Sequence, residues 1–307
     1  MNVPDFPGVV RIEPSSSCNL ACTHCPTGTI KIARQVMSEE VFQEVVNQIS
    51  KELDSIRVCV LYHGGEPLLN KRFISMVKTL KEIGIPKIKT VSNGMLLTEK
   101  IALEIIESGI DEIEISLDGE SIEENNEVRV RSDFNTVVKN VSFLLEAIQD
   151  KKTPKVSIST TQFFRDKNQA LKGGEATAPT FIRDAFKNFP HLEYKPTWAM
   201  KWPHINIDKE IYEEFVVGKE DEVVNNYCDH VYNTITIRSN GEIVPCCYDL
   251  TSQLVAGNIM QSSLREIWKN SFYSNLRNSL EEGCPTGICA ACNVVKAETY
   301  LIKKNKF

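Results

Sequence analysis

Cys18, Cys22 and Cys25 stand in the string CNLACTHC, a C-x3-C-x2-C triplet. Thiolates ligate metals and iron–sulfur clusters. Structural zinc takes four ligands, and an ordinary [4Fe–4S] cluster takes four thiolates. A loop offering three leaves one coordination position open to something else. Further on, Gly64-Gly65-Glu66-Pro67 joins two glycines, which permit a close backbone approach to a ligand, to a carboxylate able to accept hydrogen bonds from an ammonium. Ser92-Asn93-Gly94 and Ser116-Leu117-Asp118-Gly119 are ordinary turn sequences that also present polar side chains. Six more cysteines follow late in the chain: Cys228, Cys246, Cys247, Cys284, Cys289 and Cys292. Four of them brought together suffice for one closed [4Fe–4S] cluster, or for a zinc site.

Composition narrows what such sites can serve. A chain of 307 residues points to one large or two unequal domains. The 42% hydrophobic and 25% charged content is that of a soluble globular protein. A net charge of −6 argues against nucleic-acid backbone as the main partner. No apolar run approaches a membrane span, and Met1 to Pro7 is too short and polar for a signal peptide, so a cytoplasmic protein is expected. Ten cysteines in a reducing compartment read as metal ligands before disulfides.

The elements that must position these residues alternate. Strands are expected at Val9–Glu13, Ile56–Tyr62, Lys87–Val91, Glu112–Leu117, Lys155–Thr161 and Leu192–Pro196. Between them, Ser38 and Thr98 are set to cap helices, Gly109 to end the second, and Asp133 to start a third. Alternating β and α implies parallel strands with right-handed crossovers, an open (β/α)6 partial barrel with functional residues at the C-terminal strand ends. After Pro203 the rhythm changes. Residues 204–223 read as a linker helix. Asn240-Gly241 reads as a type I′ turn between Thr234–Arg238 and Glu242–Pro245, and Ser263 with Glu266 as a capping box opening a helix through Leu280. The expected domains are thus 1–203, the linker, and 224–307, where six of the ten cysteines lie.

The triplet just after a first strand, with Gly64–Pro67 after the second, resembles the radical S-adenosylmethionine (SAM) enzymes. The resemblance implies a cluster on Cys18, Cys22 and Cys25 whose open iron binds SAM, and a 5′-deoxyadenosyl radical that removes hydrogen from substrate. It places Gly64, Gly65 and Glu66 at the SAM amino group. It places Asn93, Ser116 and Asp118 toward the ribose, and Arg129, with Arg131 as competitor, at the carboxylate. His24 stands where the family has a larger aromatic near the adenine. The late cysteines resemble the shortened, "twitch" form of the SPASM auxiliary-cluster domain, with Cys228, Cys246, Cys289 and Cys292 as ligands and Cys284 as an alternative. Fifteen residues without cysteine follow Cys292, so one auxiliary [4Fe–4S] cluster is expected.

The same resemblance implies oxidation of a polar small molecule, such as a carbinol of a sugar or aminocyclitol, with a flavodoxin or ferredoxin as reductant. Two alternatives stand beside it. Epimerisation needs a hydrogen-atom donor, for which Cys247, expected on the opposite strand face from Cys246, is the candidate. Modification of a ribosomal peptide is weakened by the mere eight residues ahead of the first strand. Trp198, Trp202 and the loop Phe163 to Pro179 are candidate pocket walls, and Cys59 is expected to be core.

Overall fold

The computed structural model describes residues 3–148, 153–203, 205–219 and 222–304. Six strands, β1 (Val9–Ile12), β2 (Val58–Leu61), β3 (Ile88–Ser92), β4 (Glu112–Ser116), β5 (Lys155–Gln162) and β6 (Glu193–Trp198), pair in sequence order, all parallel. The helices between them form where the sequence places their caps. The Ser38 hydroxyl accepts from Val41 N–H and that of Thr98 from Ile101 N–H. Gly109, at φ 77°, ends the helix Glu99–Ser108 in the left-handed conformation that glycine adopts without strain. The core lies between the sheet and these helices, with Val10, Ile12, Leu61, Ile88, Ile113 and Ile115 fully buried.

The other sheet face differs. Parallel sheets are usually apolar on both faces, yet the alternate residues here include Arg11, Lys89, Glu112, Glu114 and Lys195. Lys195 pairs with Glu114 at 2.9 Å and Lys89 with Glu112 at 2.7 Å. This polar inner face is what a partial barrel open to solvent requires. It explains why the strand sequences alternate instead of running apolar.

Three corrections concern the C-terminal third. Residues 205–219 form no helix. They contain β7 (Tyr212–Val216), which pairs antiparallel with β11 (Thr299–Lys303), a strand set by Tyr300 and Leu301–Ile302 near the chain end. The hairpin β8 (Thr234–Ile237) and β9 (Glu242–Val244) is present, but β8 runs parallel to β1, with Arg11 opposite Thr236. The auxiliary region therefore extends the barrel sheet into nine strands, ending in β10 (Gly257–Asn258). The hairpin turn is not type I′: Gly241 has φ 83°, whereas Asn240 is not among the described residues with positive φ. Gly241 N–H bonds Arg238 C=O at 2.9 Å and Arg238 N–H bonds Glu242 C=O at 2.8 Å, the pattern of a three-residue loop closed by a left-handed glycine. Finally, the Ser263–Glu266 capping box forms, but its helix stops at Trp268. Asn270 then caps a second helix, Ser271–Glu281, by accepting from Tyr273 N–H.

Candidate active site

The cysteine loop is fixed by backbone bonds to the chain on either side of Arg129. Ala21 N–H donates to Val130 C=O at 3.0 Å and Thr23 N–H to Val128 C=O at 2.9 Å. Within it, Leu20 N–H points at Cys18 Sγ, 3.4 Å away. Gly28, in the helical turn Pro26–Thr29, presses on the same loop: a Cβ there would lie 2.5 Å from Cys22 O. The three thiols are half-buried, and burial pushes that of Cys22 up to about 12 in the absence of a positive partner strong enough to oppose it.

The Gly64–Pro67 loop is held by the same neighbourhood. Gly65 lies so close to the preceding segment that a Cβ would stand 2.2 Å from Ser15 O and 2.4 Å from Ser17 O. The sequence expectation assigned this glycine's freedom to a ligand's approach; at Gly65 it serves first the approach of the chain to itself. Glu66 is 1% exposed. Its carboxylate accepts from Ser92 Oγ at 2.9 Å, Asn93 N–H at 2.8 Å and Leu68 N–H at 3.1 Å. Burial raises its pKa, and these donors oppose the rise. Glu66 thus clamps the end of β3 to the loop after β2. Asn93 Nδ2 in turn donates to Asn19 Oδ1 at 2.8 Å, inside the cysteine loop.

Across from these, Asp118 and Arg129 form a buried pair, Oδ2 to Nη1 at 2.5 Å, with His24 Nε2 at 3.5 Å from the same oxygen. Asp118 Oδ1 accepts from Thr161 N–H at 2.8 Å. Burial pushes the Asp118 carboxyl up, but the Arg129 guanidinium and His24 together hold it below the usual value. His24 is pushed down by burial, against the pull of Asp118. Arg131 is exposed, with φ 73°, and does not enter the site.

All these side chains line one cavity of ≈ 270 Å³: the three cysteines, His24, Gly64, Gly65, Glu66, Asn93, Ser116, Asp118 and Arg129. Every predicted cofactor residue is therefore brought to one place, at the C-terminal ends of the strands. Trp198 and Trp202 line it too; Trp198 stacks on Phe164 at 4.1 Å and donates Nε1–H to Gly174 O at 2.8 Å, which ties the Gly173-Gly174 loop to the wall. Tyr62, Thr161 and Thr197 were missed, although their places at the ends of β2, β5 and β6 are where a parallel sheet presents function. Tyr248 and Asn293 were missed as well, and no signal in the sequence marks them beyond their adjacency to cysteines.

Cys228, Cys246, Cys289 and Cys292, each 5–6% exposed, share one apolar cluster with Val231, Leu276, Leu280, Ile288 and Val295. Cys284 is exposed and stands outside that cluster. Cys59 is core. Cys247 is not on a strand: β9 ends at Val244, and the thiol meets His230 Nε2 at 3.2 Å. It is not among the residues lining the cavity. Among the described residues no three His, Cys, Asp or Glu are grouped around a position for a single metal ion. No helix among the described residues is long and apolar enough to cross a membrane.

A parallel partial barrel presenting three cysteines, a Gly-Gly-Glu-Pro loop and a buried Asp–Arg pair at its strand ends, with four more buried cysteines beside it, is the frame of a SAM-dependent iron–sulfur enzyme. The Radical SAM superfamily profile matches residues 12–161, and the profile of SPASM, an iron–sulfur cluster-binding domain, matches residues 228–293. The chain belongs to the radical SAM superfamily and carries a SPASM domain. Such a protein works with SAM, a [4Fe–4S] cluster and auxiliary iron–sulfur.

Among curated relatives, mycofactocin maturase MftC of Mycolicibacterium smegmatis is 24% identical over 94% of this chain and 76% of its own. An AdoMet-dependent heme synthase of Methanosarcina barkeri is 23% identical over 96% of this chain and 92% of its own. Among solved structures, BtrN in complex with AdoMet and 2-DOIA has a TM-score of 0.58 at 18% identity, covering 94% of this chain and 93% of that one. Streptococcus suis SuiB bound to precursor peptide SuiA scores 0.62 at 16% identity, over 95% and 72%. At these identities the structures share the fold.

The residues present fit the groups the family uses. Three thiols converge on the cavity, and two polar atoms of its lining residues, Arg129 Nε and His24 Nδ1, are buried without a protein partner. Buried polar atoms left so are costly unless a ligand meets them.

Proposed function

We propose that the chain catalyses the two-electron oxidation of a polar small molecule, with a carbinol of a sugar or aminocyclitol as the favoured group. Cys18, Cys22 and Cys25 would hold the SAM-binding cluster. Gly64 and Gly65, with Glu66, Asn93, Ser116, Asp118, Arg129 and His24, would hold SAM. Cys228, Cys246, Cys289 and Cys292 would hold one auxiliary cluster. When bound, cluster and SAM supply a 5′-deoxyadenosyl radical that removes a hydrogen atom from substrate.

The observation that carries this reading is the cavity's second end. Tyr248 lies two residues from Cys246, and Asn293 is next to Cys292; both line the same cavity as the N-terminal triplet. Oxidation needs an acceptor for a second electron, and chain neighbours of Cys246 and Cys292 in the cavity lining support an acceptor on that side. Epimerisation draws less support, because Cys247 turns to His230 and is not among the lining residues. The peptide reading keeps a specific observation in its favour: mycofactocin maturase aligns over 94% of this chain.

The test is anaerobic. Reconstituted protein, SAM and dithionite are incubated with a panel of aminocyclitols and sugars and, separately, with short peptides, in heavy water. Oxidation gives a product lighter by two hydrogens without deuterium at the reacting carbon. Deuterium at that carbon with no mass loss decides for epimerisation, and turnover of peptides alone decides for peptide modification. Cys22→Ala is expected to abolish 5′-deoxyadenosine formation in every arm.

A further inference from the structure

The strand β7 belongs to no part of the barrel sheet, yet it reaches the cysteine loop. Tyr212, its first residue, is 1% exposed, and its Oη lies 2.6 Å from Oγ1 of Thr23, between Cys22 and Cys25. The Thr23 hydroxyl has Val128 C=O to donate to at 3.4 Å, which leaves it to accept from the Tyr212 O–H. The Tyr212 ring also stacks on Phe163, with centroids 5.4 Å apart at 25°, and Phe163 meets the His24 ring edge-on at 5.4 Å. One side chain thus steadies two successive loop residues, one by hydrogen bond and one through an intervening ring.

Tyr212 is itself held from behind. It pairs with Lys303 in the β7–β11 register, and Lys303 Nζ reaches Glu127 at 3.2 Å and Glu124 at 3.5 Å, on the helix that leads into Arg129. The same strand β11 bonds the cavity wall: Leu301 N–H donates to Ala199 C=O, and Thr299 C=O accepts from Lys201 N–H, both at 2.8 Å.

We propose that Tyr212 is a positioning residue that sets the geometry of the Thr23–His24 segment against Arg129, and through it SAM affinity. This rests on reading Cys18, Cys22 and Cys25 as the cluster ligands. The geometry separates the two contributions: Tyr212→Phe removes the O–H and keeps the stacked ring, and Thr23→Val removes the other partner.

The test uses the full-length reconstituted protein and reads iron content, SAM affinity by equilibrium dialysis, and the electron paramagnetic resonance spectrum of the reduced protein with and without SAM. Tyr212→Phe and Thr23→Val are each expected to keep wild-type iron and to weaken SAM binding about fivefold, the effect of one lost hydrogen bond. The double variant should be no weaker than either single one, because both remove the same bond. Thr23→Ser should restore wild-type affinity and the SAM-induced spectral change. Wild-type affinity and spectra in both single variants, or fully additive losses, overturn the proposal. Cys22→Ala separates it from the cluster reading: if that variant keeps wild-type iron, the triplet is not the cluster site, and that reading falls first.

Discussion

The chemistry of the site turns on charges that have been taken out of water. Asp118 and Arg129 are paired at 2.5 Å with almost no exposure, and Arg129 carries a buried Nε with no protein partner. Asp118→Asn would leave the guanidinium without its counter-charge, and breaking a buried pair from one side costs about 3–5 kcal/mol. Unfolding in urea should show that loss at neutral pH. The Asp118 carboxyl is held below its ordinary value of 3.8. A carboxyl with a depressed folded pKa stabilises above its unfolded value, and that contribution disappears as pH falls through the folded one. The gap between wild type and Asp118→Asn should therefore be constant above about pH 5 and close as the pH drops below 3.8. A gap undiminished at the lowest pH would mean that the carboxylate's charge contributes nothing.

At the scale of elements, the sequence made the barrel readable because its strands carry a clean alternation and its helices carry strong caps. Ser38, Thr98 and Gly109 all act where they stand in the sequence. The strands β1 to β6 fall within a residue or two of their expected bounds for the same reason. What stayed hidden depends on long-range pairing. Nothing local in Tyr212–Val216 says that its partner lies at Thr299–Lys303, and nothing in Thr234–Ile237 says that it joins β1. A loop motif can also be found correctly and its physics misassigned, as at Gly65, where the nearest obstacle to a side chain is the Ser15–Ser17 backbone. Gly65→Ala should consequently destabilise the protein itself, by about 1–3 kcal/mol, as overpacking does. Thermal unfolding of the protein without SAM checks this; an unchanged midpoint would return the glycine to a purely ligand-facing role.

For the whole molecule, the continuous sheet puts two cysteine sets on one rigid frame. The β8–β1 pairing fixes the auxiliary region to the strand that leads into Cys18, and one cavity runs from the triplet to Tyr248 and Asn293. If the four buried cysteines hold a cluster that receives the second electron, removing it must separate two quantities that the intact enzyme couples. Cys289→Ala should lower bound iron from about eight to about four per chain, while Cys284→Ala, on an exposed thiol, should leave it at eight. With its triplet intact, Cys289→Ala should still form 5′-deoxyadenosine on adding SAM and reductant, yet release little or no oxidised product. Assays of both species from the same reaction read the ratio directly. Oxidised product formed one-for-one with 5′-deoxyadenosine in Cys289→Ala would remove the auxiliary site from the electron path. It would leave the cavity's position between the two cysteine sets as a matter of substrate binding alone.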